Sequence, residues 1–454
     1  MRRTKQIVFI TIIFIFFLLP FTRVLATDID TKDYNPDNIS IKSESAILID
    51  SNTGQILYSK NAYEKLYPAS TTKLMTAILT LENCKLTDVC TVSHNAIYSI
   101  PVGYTHANLV EGEELTVEQL LNVLLIPSAN DAAIVLAEHI AGSVENFSTM
   151  MNNKAKELGC LNTHFVNPNG IHNENHYSTA YDMSLIGRYA MKFDDIMRIV
   201  KVPQYTLPKT NKYNKEDRIF NTTNGLINPN DEYYYEYTTG LKTGYTDKAG
   251  SCIVSTAKKD NLELMAVVLK SETVDDRNND CINLFNYGFN NYSYQNIVNK
   301  GETVNTVKVE NATSETERLN VLTKDNITAL VKNTVDMNNI QKKIEINDNL
   351  TAPIAKDAVI GNITYTLDNK TYSTELIAQN SVEEINIKLI IYRILLILFI
   401  FIIFIFIISK LNKPKKSRKK GKSSNYSSKK SSSKTRKKSK HGGRYKFTQI
   451  HDYL

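Results

Sequence analysis

Glycine and proline are scarce in this chain, 17 and 11 of 454 residues, which excludes a collagen-like or mucin-like polymer. A hydrophobic share of 42% excludes a wholly disordered chain, and the length suffices for two or three domains with at least one sizeable core. Cysteines are few and odd in number. Cys84, Cys90, Cys160, Cys252 and Cys281 match no zinc-ligand spacing. A Cys84–Cys90 disulfide is conceivable outside the cytoplasm, and the competing reading is five small, mostly buried hydrophobes. His172 and His176 fall in the polar loop 169–178 with no carboxylate partner at metal-site spacing, so they are read as loop residues, and no metal or cofactor is expected.

Acidic residues are missing from residues 1–26 and nearly so from residues 410–454, where 17 basic groups accompany only Asp452. Residues 27–387 hold 31 Lys and Arg against 46 Asp and Glu, a formal charge of −15. The overall +7 therefore belongs to the ends, which argues against a globally basic nucleic-acid binder; no nucleic-acid partner is expected.

The ends have the composition of membrane traffic. Residues 1–6 are short and basic, Ile7–Phe21 is apolar, and Val24-Leu25-Ala26 offers small residues for cleavage. That is the layout of a secretory signal peptide over 1–26; an uncleaved anchor is the alternative. Leu389–Ile408 is apolar except for Tyr392 and Arg393 and reads as one transmembrane helix. The basic tail at 409–454 then predicts a cytoplasmic C-terminus and an extracytoplasmic body, a single-pass protein of the cell membrane. The tail is expected to be disordered and lipid-adjacent.

Between the ends, residues 27–40 read as a linker. Ala46–Asp50 and Gln55–Tyr58 flank a turn at Ser51–Gly54, a strand–turn–strand signal. Leu74, Ile78 and Leu81 make a helical stripe over 70–82, and Thr116–Gln119 has the form of a capping box opening a helix to Leu125. Asn130-Asp131 can cap a helix over 132–140, and 181–191 also reads as helix. Residues 253–269 read as a β-hairpin and 281–289 as a closing helix. An antiparallel sheet with a helical cluster over 41–291 follows. Short alternating strands at 303–309, 319–323, 342–346, 362–367 and 375–378 predict a small β-rich domain over 292–385. The expected class is α+β.

Three short motifs carry chemistry. In Ser70-Thr71-Thr72-Lys73, residues three apart share a helix face, so Lys73 can reach the Ser70 hydroxyl. A serine is a poor nucleophile until a base takes its proton, and a lysine serves once burial and nearby cations lower its pKa. Ser128-Ala129-Asn130 lies in a bend between helices; its hydroxyl can relay a proton and its amide can hold a carbonyl, or Asn130 is simply a cap. Lys242-Thr243-Gly244 opens a strand; Lys and Thr can bind a carboxylate while Gly admits a substrate backbone, or Lys242 is an ordinary exposed strand lysine. Each motif is weak alone: Ser255–Lys258 also fits the first and Ser93–Asn95 the second.

Together and in this order they resemble the serine/lysine set of penicillin-recognising enzymes. The wider runs Tyr67–Lys73, Ser128–Ala132, Ser178–Asp182 and Gly240–Gly250, with Leu350–Ile354 in the β-rich part, resemble the low-molecular-mass penicillin-binding proteins, serine-type D-alanyl-D-alanine carboxypeptidases. The resemblance covers about residues 40–385 and implies a penicillin-binding-protein/β-lactamase-like catalytic domain followed by an all-β domain. It implies an acyl-enzyme on Ser70 with Lys73 as base, Ser128 and Lys242 passing a proton to the departing D-Ala, and Asn130 orienting the peptide. It further implies an oxyanion hole from the N–H groups of Ser70 and Tyr245, a carboxylate site from Thr243 and Arg277, and Gly244 against the substrate backbone. The alternative for Arg277 is a surface arginine at a helix start; Asp182 is either an electrostatic support or a structural aspartate. Expected partners are stem peptides ending in D-Ala-D-Ala, β-lactams and the membrane. A serine β-lactamase, a catalytically silent penicillin sensor and an endopeptidase are the competing functions.

Overall fold

The computed structural model describes residues 32–367 and 370–412, so the expected signal peptide and most of the basic tail lie outside the described residues. Strands β1 (Ser45–Asp50) and β2 (Ile56–Lys60) form the N-terminal hairpin. β3 (Thr238–Thr246), β4 (Gly250–Lys259) and β5 (Leu262–Ser271) complete a five-stranded antiparallel sheet in the order β2-β1-β5-β4-β3. β3 is therefore an edge.

Strand alternation sends side chains to two different cores. Ile47 and Ile49 face the helical cluster, while Ala46 and Leu48 face the opposite layer. The cluster contains α1 (Lys73–Asn83), α2 (Val117–Leu125), α3 (Asn130–Ala141) and α4 (Ala180–Ala190). Leu74 and Ile78 of the predicted stripe are fully buried, and Leu81 packs at its margin. The capping box is present: Thr116 accepts from Gln119 N, and the Gln119 side chain accepts from Thr116 N. On the other face lies α5 (Val274–Asn291), which packs Cys281, Leu284 and Phe285 against Leu48 and Leu264. It begins seven residues before the expected closing helix, because Thr273 accepts from Asp276 N as N-cap and Asp275 and Asp276 suit the first turn.

Three alternatives left open by the sequence are decided by the structure. No disulfide forms among the five cysteines; four are buried and Cys84 is half-buried. Asn130 is no cap. The α3 N-cap is Ala129, without a side-chain bond, and the Asn130 amide is used elsewhere. Asp182 lies in the first turn of α4 and accepts from Asn162 N and Thr163 Oγ1, a structural role.

The second part is all β. Five strands, β7 (Thr303–Lys308), β8 (Arg318–Thr323), β10 (Gln341–Ile346), β11 (Val359–Leu367) and β12 (Lys370–Ala378), form a sheet in the order β7-β8-β12-β11-β10. A two-stranded ladder of β6 (Tyr292–Val298) and β9 (Ile327–Lys332), not anticipated from the sequence, joins it to the first part. The Tyr294 hydroxyl donates to Asp50 (2.8 Å), Gln55 Nε2 to the Leu330 carbonyl (3.1 Å), and Lys332 pairs with Asp37 (2.7 Å). Considered by itself, residues 384–412 contain α6 (Ile387–Leu411), 25 residues of mean hydropathy 3.2, long and apolar enough to cross a membrane.

Candidate active site

Ser70 sits in a 3₁₀ turn, Ala69–Thr72, that runs directly into α1. The turn keeps Ser70 and Lys73 on one face, and Lys73 Nζ lies 2.8 Å from Ser70 Oγ. Nζ also donates to Asn130 Oδ1 and to the Asn169 carbonyl, each at 2.7 Å. Those two oxygens can only accept. A neutral amine has two N–H bonds and one lone pair, so satisfying both leaves the lone pair for the Ser70 hydroxyl.

The surroundings favour that neutral form. Lys73 is completely buried, and burial holds its pKa well below the ordinary lysine value; the Lys242 cation pushes the same way, with Asp131 opposing. Asp131 is committed elsewhere: its carboxylate accepts from the N–H groups of Ala107, Leu109 and Ala132, while burial raises its pKa. Lys242 is likewise buried and lowered to about 7, by desolvation first and by Arg277 second.

The remaining side chains come from distant segments. Ser128 occupies the bend between α2 and α3 with φ of +71°, and Ala69 beside the nucleophile has φ of +48°. Left-handed backbone at two non-glycine residues costs about 1–3 kcal/mol each and marks segments held by their surroundings. Asn130 is clamped by the Thr105 carbonyl, which accepts from both its backbone N and its Nδ2. On β3, Thr243 and Thr223 share a hydroxyl–hydroxyl bond of 2.6 Å. A Cβ on Gly244 would come within 2.7 Å of Ser70 N, so only glycine lets the edge strand meet the nucleophile turn without displacement.

A cleft of about 440 Å³ unites these parts. Ser70, Ser128, Asn130, Thr243, Gly244, Tyr245 and Arg277 all line it; Lys73 and Lys242 lie buried in its walls. Arg277 is 5% exposed, which removes the surface-arginine alternative, and its guanidinium is held on Asn278 Oδ1 (2.9 and 3.1 Å).

Sequence reasoning missed Asn169, Thr105 and Thr223. Asn169 and Thr105 act through backbone carbonyls, which residue type does not advertise. His176 is more than a loop residue: Val166 N donates to its Nδ1 (3.2 Å), so Nε2 carries the proton and donates to Thr72 Oγ1 (2.8 Å). Burial lowers its pKa to about 3, keeping it neutral beneath the nucleophile turn.

Comparison with known proteins places this geometry in context. A family described as D-alanyl-D-alanine carboxypeptidase matches residues 30–273, and one described as penicillin-binding protein 5, C-terminal domain, matches residues 292–384. The D-alanyl-D-alanine carboxypeptidase DacF of Bacillus subtilis is 35% identical over 342 residues, covering 74% of this chain and 85% of the relative. DacA of Escherichia coli K12 is 31% identical, covering 76% and 85%. Among solved structures, penicillin-binding protein 5 from Haemophilus influenzae has a TM-score of 0.61 at 28% identity, covering 77% of this chain and all of its own. The Streptomyces K15 DD-transpeptidase has a TM-score of 0.52 at 32% identity, covering 56% of this chain and 98% of its own.

Proposed function

The chain belongs to the family of serine-type D-alanyl-D-alanine carboxypeptidases, and from that premise we propose how its residues divide the work on a peptidoglycan stem ending in D-Ala-D-Ala. The neutral Lys73 amine takes the Ser70 proton as Oγ attacks the carbonyl of the penultimate D-Ala. The N–H groups of Ser70 and Tyr245 hold the resulting oxyanion. Ser128, aided by Lys242, gives its hydroxyl proton to the departing D-Ala amine and receives the one held by Lys73, so the C–N bond breaks, an acyl ester remains on Ser70 and Lys73 is neutral again. Water then attacks that ester, Lys73 takes the water's proton, and it passes that proton to Ser70 Oγ as the acyl C–O bond breaks. Asn130 orients the peptide, and Thr243 with Arg277 binds the terminal carboxylate. β-Lactams mimic the D-Ala-D-Ala end and acylate the same serine.

The observation that supports this most is the Lys73–Ser70 contact at 2.8 Å, with the Lys73 side chain fully buried. Neither a serine β-lactamase nor a silent sensor is favoured, since the relatives are named carboxypeptidases. The apolar α6 fits a membrane anchor; a body outside the membrane and a basic C-terminus inside it complete the reading, on the positive-inside argument.

The test uses the purified full chain in detergent. Wild type releases D-Ala from a pentapeptide stem and is labelled by fluorescent penicillin. Ser70→Ala loses turnover by a factor on the order of 10⁴ or more and takes no label. Label retained on Ser70→Ala refutes the nucleophile, and penicillin turnover without D-Ala release refutes the carboxypeptidase.

A further inference from the structure

Arg277 is a buried cation without an anion. It sits in the first turn of α5, where the helix dipole opposes a positive charge. Burial lowers its pKa, yet an arginine keeps its proton at neutral pH. Among the described residues no carboxylate forms an ion pair with it. The acids around it are committed elsewhere. Asp276 pairs with Lys42 (2.6 Å), Asp280 accepts from the N–H groups of Lys42 and Ser43, and Asp275 accepts from the Tyr233 hydroxyl. Asp231 favours the cation from beyond ion-pair distance, and its Oδ1 accepts from Tyr233 N. The Cys252 and Cys281 thiols lie near the guanidinium too, but burial lifts them to about 11 and about 12, so both are uncharged at neutral pH. What holds the side chain is an amide. Nε and Nη2 both donate to Asn278 Oδ1, and Asn278 is itself buried. Of the five N–H bonds of the guanidinium, three remain for the cleft that Arg277 lines.

We infer that Asn278 is a positioning residue: its neutral oxygen fixes the Arg277 guanidinium and leaves the charge uncompensated until the carboxylate of an incoming ligand supplies the missing anion. The inference rests on the reading above that gives Arg277 the terminal carboxylate of the substrate. A buried charge without a partner is costly, so the site gains most from a ligand that brings the opposite charge. Aspartate at 278 would match asparagine in length and accept the same two N–H bonds, but its charge would cancel the cation before any ligand arrived. Alanine there would release the guanidinium and leave its charge intact. The two substitutions therefore separate position from charge.

The test acylates the full chain in detergent with a fluorescent penicillin and with its methyl ester, which lacks the carboxylate charge. Wild type should react faster with the free acid. Asn278→Asp should slow acylation by the acid about ten-fold, the scale of one hydrogen bond to a charged group, and acylation by the ester less than about two-fold. In the same variant KM for Nα,Nε-diacetyl-Lys-D-Ala-D-Ala should rise about ten-fold with kcat within about two-fold, as loss of uniform binding requires. Asn278→Ala should lose only about three-fold on the acid. Complete labelling at long times verifies a folded site in each variant. Equal slowing of acid and ester in Asn278→Asp assigns Asn278 a merely structural role and overturns the inference. Equal losses on the acid in the aspartate and alanine variants, or no loss in either, overturn it as well. A wild type that does not distinguish acid from ester removes the carboxylate from Arg277 and the inference with it. Labelling of wild type without D-Ala release overturns the carboxypeptidase reading alone, and the comparison of acid with ester still decides the role of Asn278.

Discussion

At the scale of residues, the site works by keeping two lysines out of water. Burial, and after it the Lys242 charge, holds the Lys73 pKa well below the ordinary lysine value, and burial with Arg277 lowers Lys242 to about 7. Their roles demand opposite charge states: Lys73 must be neutral to accept a proton, and Lys242 must be charged to donate one or to attract a carboxylate. Below pH 7 Lys242 holds its proton; above it the cation is lost. The kcat/KM profile for D-Ala release, which reports the free enzyme, should therefore fall on the alkaline side from about pH 7. Lys242→Arg keeps a permanent charge, so its alkaline limb should move up by more than about one pH unit, at a lower maximum because the guanidinium is bulkier. An unchanged limb in Lys242→Arg would assign that titration to another group.

At the scale of elements, the site is the meeting of a helix start, a bend and a strand edge, and glycines set how closely they approach. Gly170, in the loop that supplies the Asn169 carbonyl, has φ of +81°, and a Cβ there would lie 1.9 Å from the Ala69 carbonyl oxygen. Neither the backbone angle nor the space accepts a methyl group. Gly170→Ala should cost about 2 kcal/mol or more, through overpacking and left-handed strain together. It should also slow penicillin acylation at least ten-fold, because the Lys73 acceptor on Asn169 moves with the loop. Denaturant unfolding and labelling kinetics measure the two effects separately. Gly142, which ends α3 with φ of +74° and nothing near its Cβ position, is the control: alanine there meets only the backbone penalty.

At the scale of the whole molecule, residues 27–387 carry a formal charge of −15, and the hydrophobic helix α6 follows the catalytic and β-rich parts in the sequence. The hydrogen bonds from Tyr294 and Gln55 tie those two parts together without using any residue of the cleft. A chain ending at residue 384 should therefore stay in the soluble fraction and keep wild-type D-Ala release from a soluble pentapeptide within about two-fold, while the full chain sediments with membranes. Loss of turnover in the shortened chain would show that α6 supports the catalytic fold rather than anchoring it.

Much of this was legible along the chain, because some physical signals are local. The strand–turn–strand signal of 46–58, the helical stripe of Leu74 and Ile78, the box at Thr116 and Gln119, the apolar run at 389–408 and the order of the three motifs all depend on side-chain type and spacing. The cysteine pairing, the start of α5, the β6–β9 ladder and the true use of the Asn130 amide depend on which remote segments pack together. So does the lowered Lys73 pKa: it comes from complete burial beside Lys242, while the Asn169 carbonyl and the Asn130 amide oxygen aim the amine. Every residue has a carbonyl, so no pattern of residue types could single out the one that folding brings within 2.7 Å of that amine.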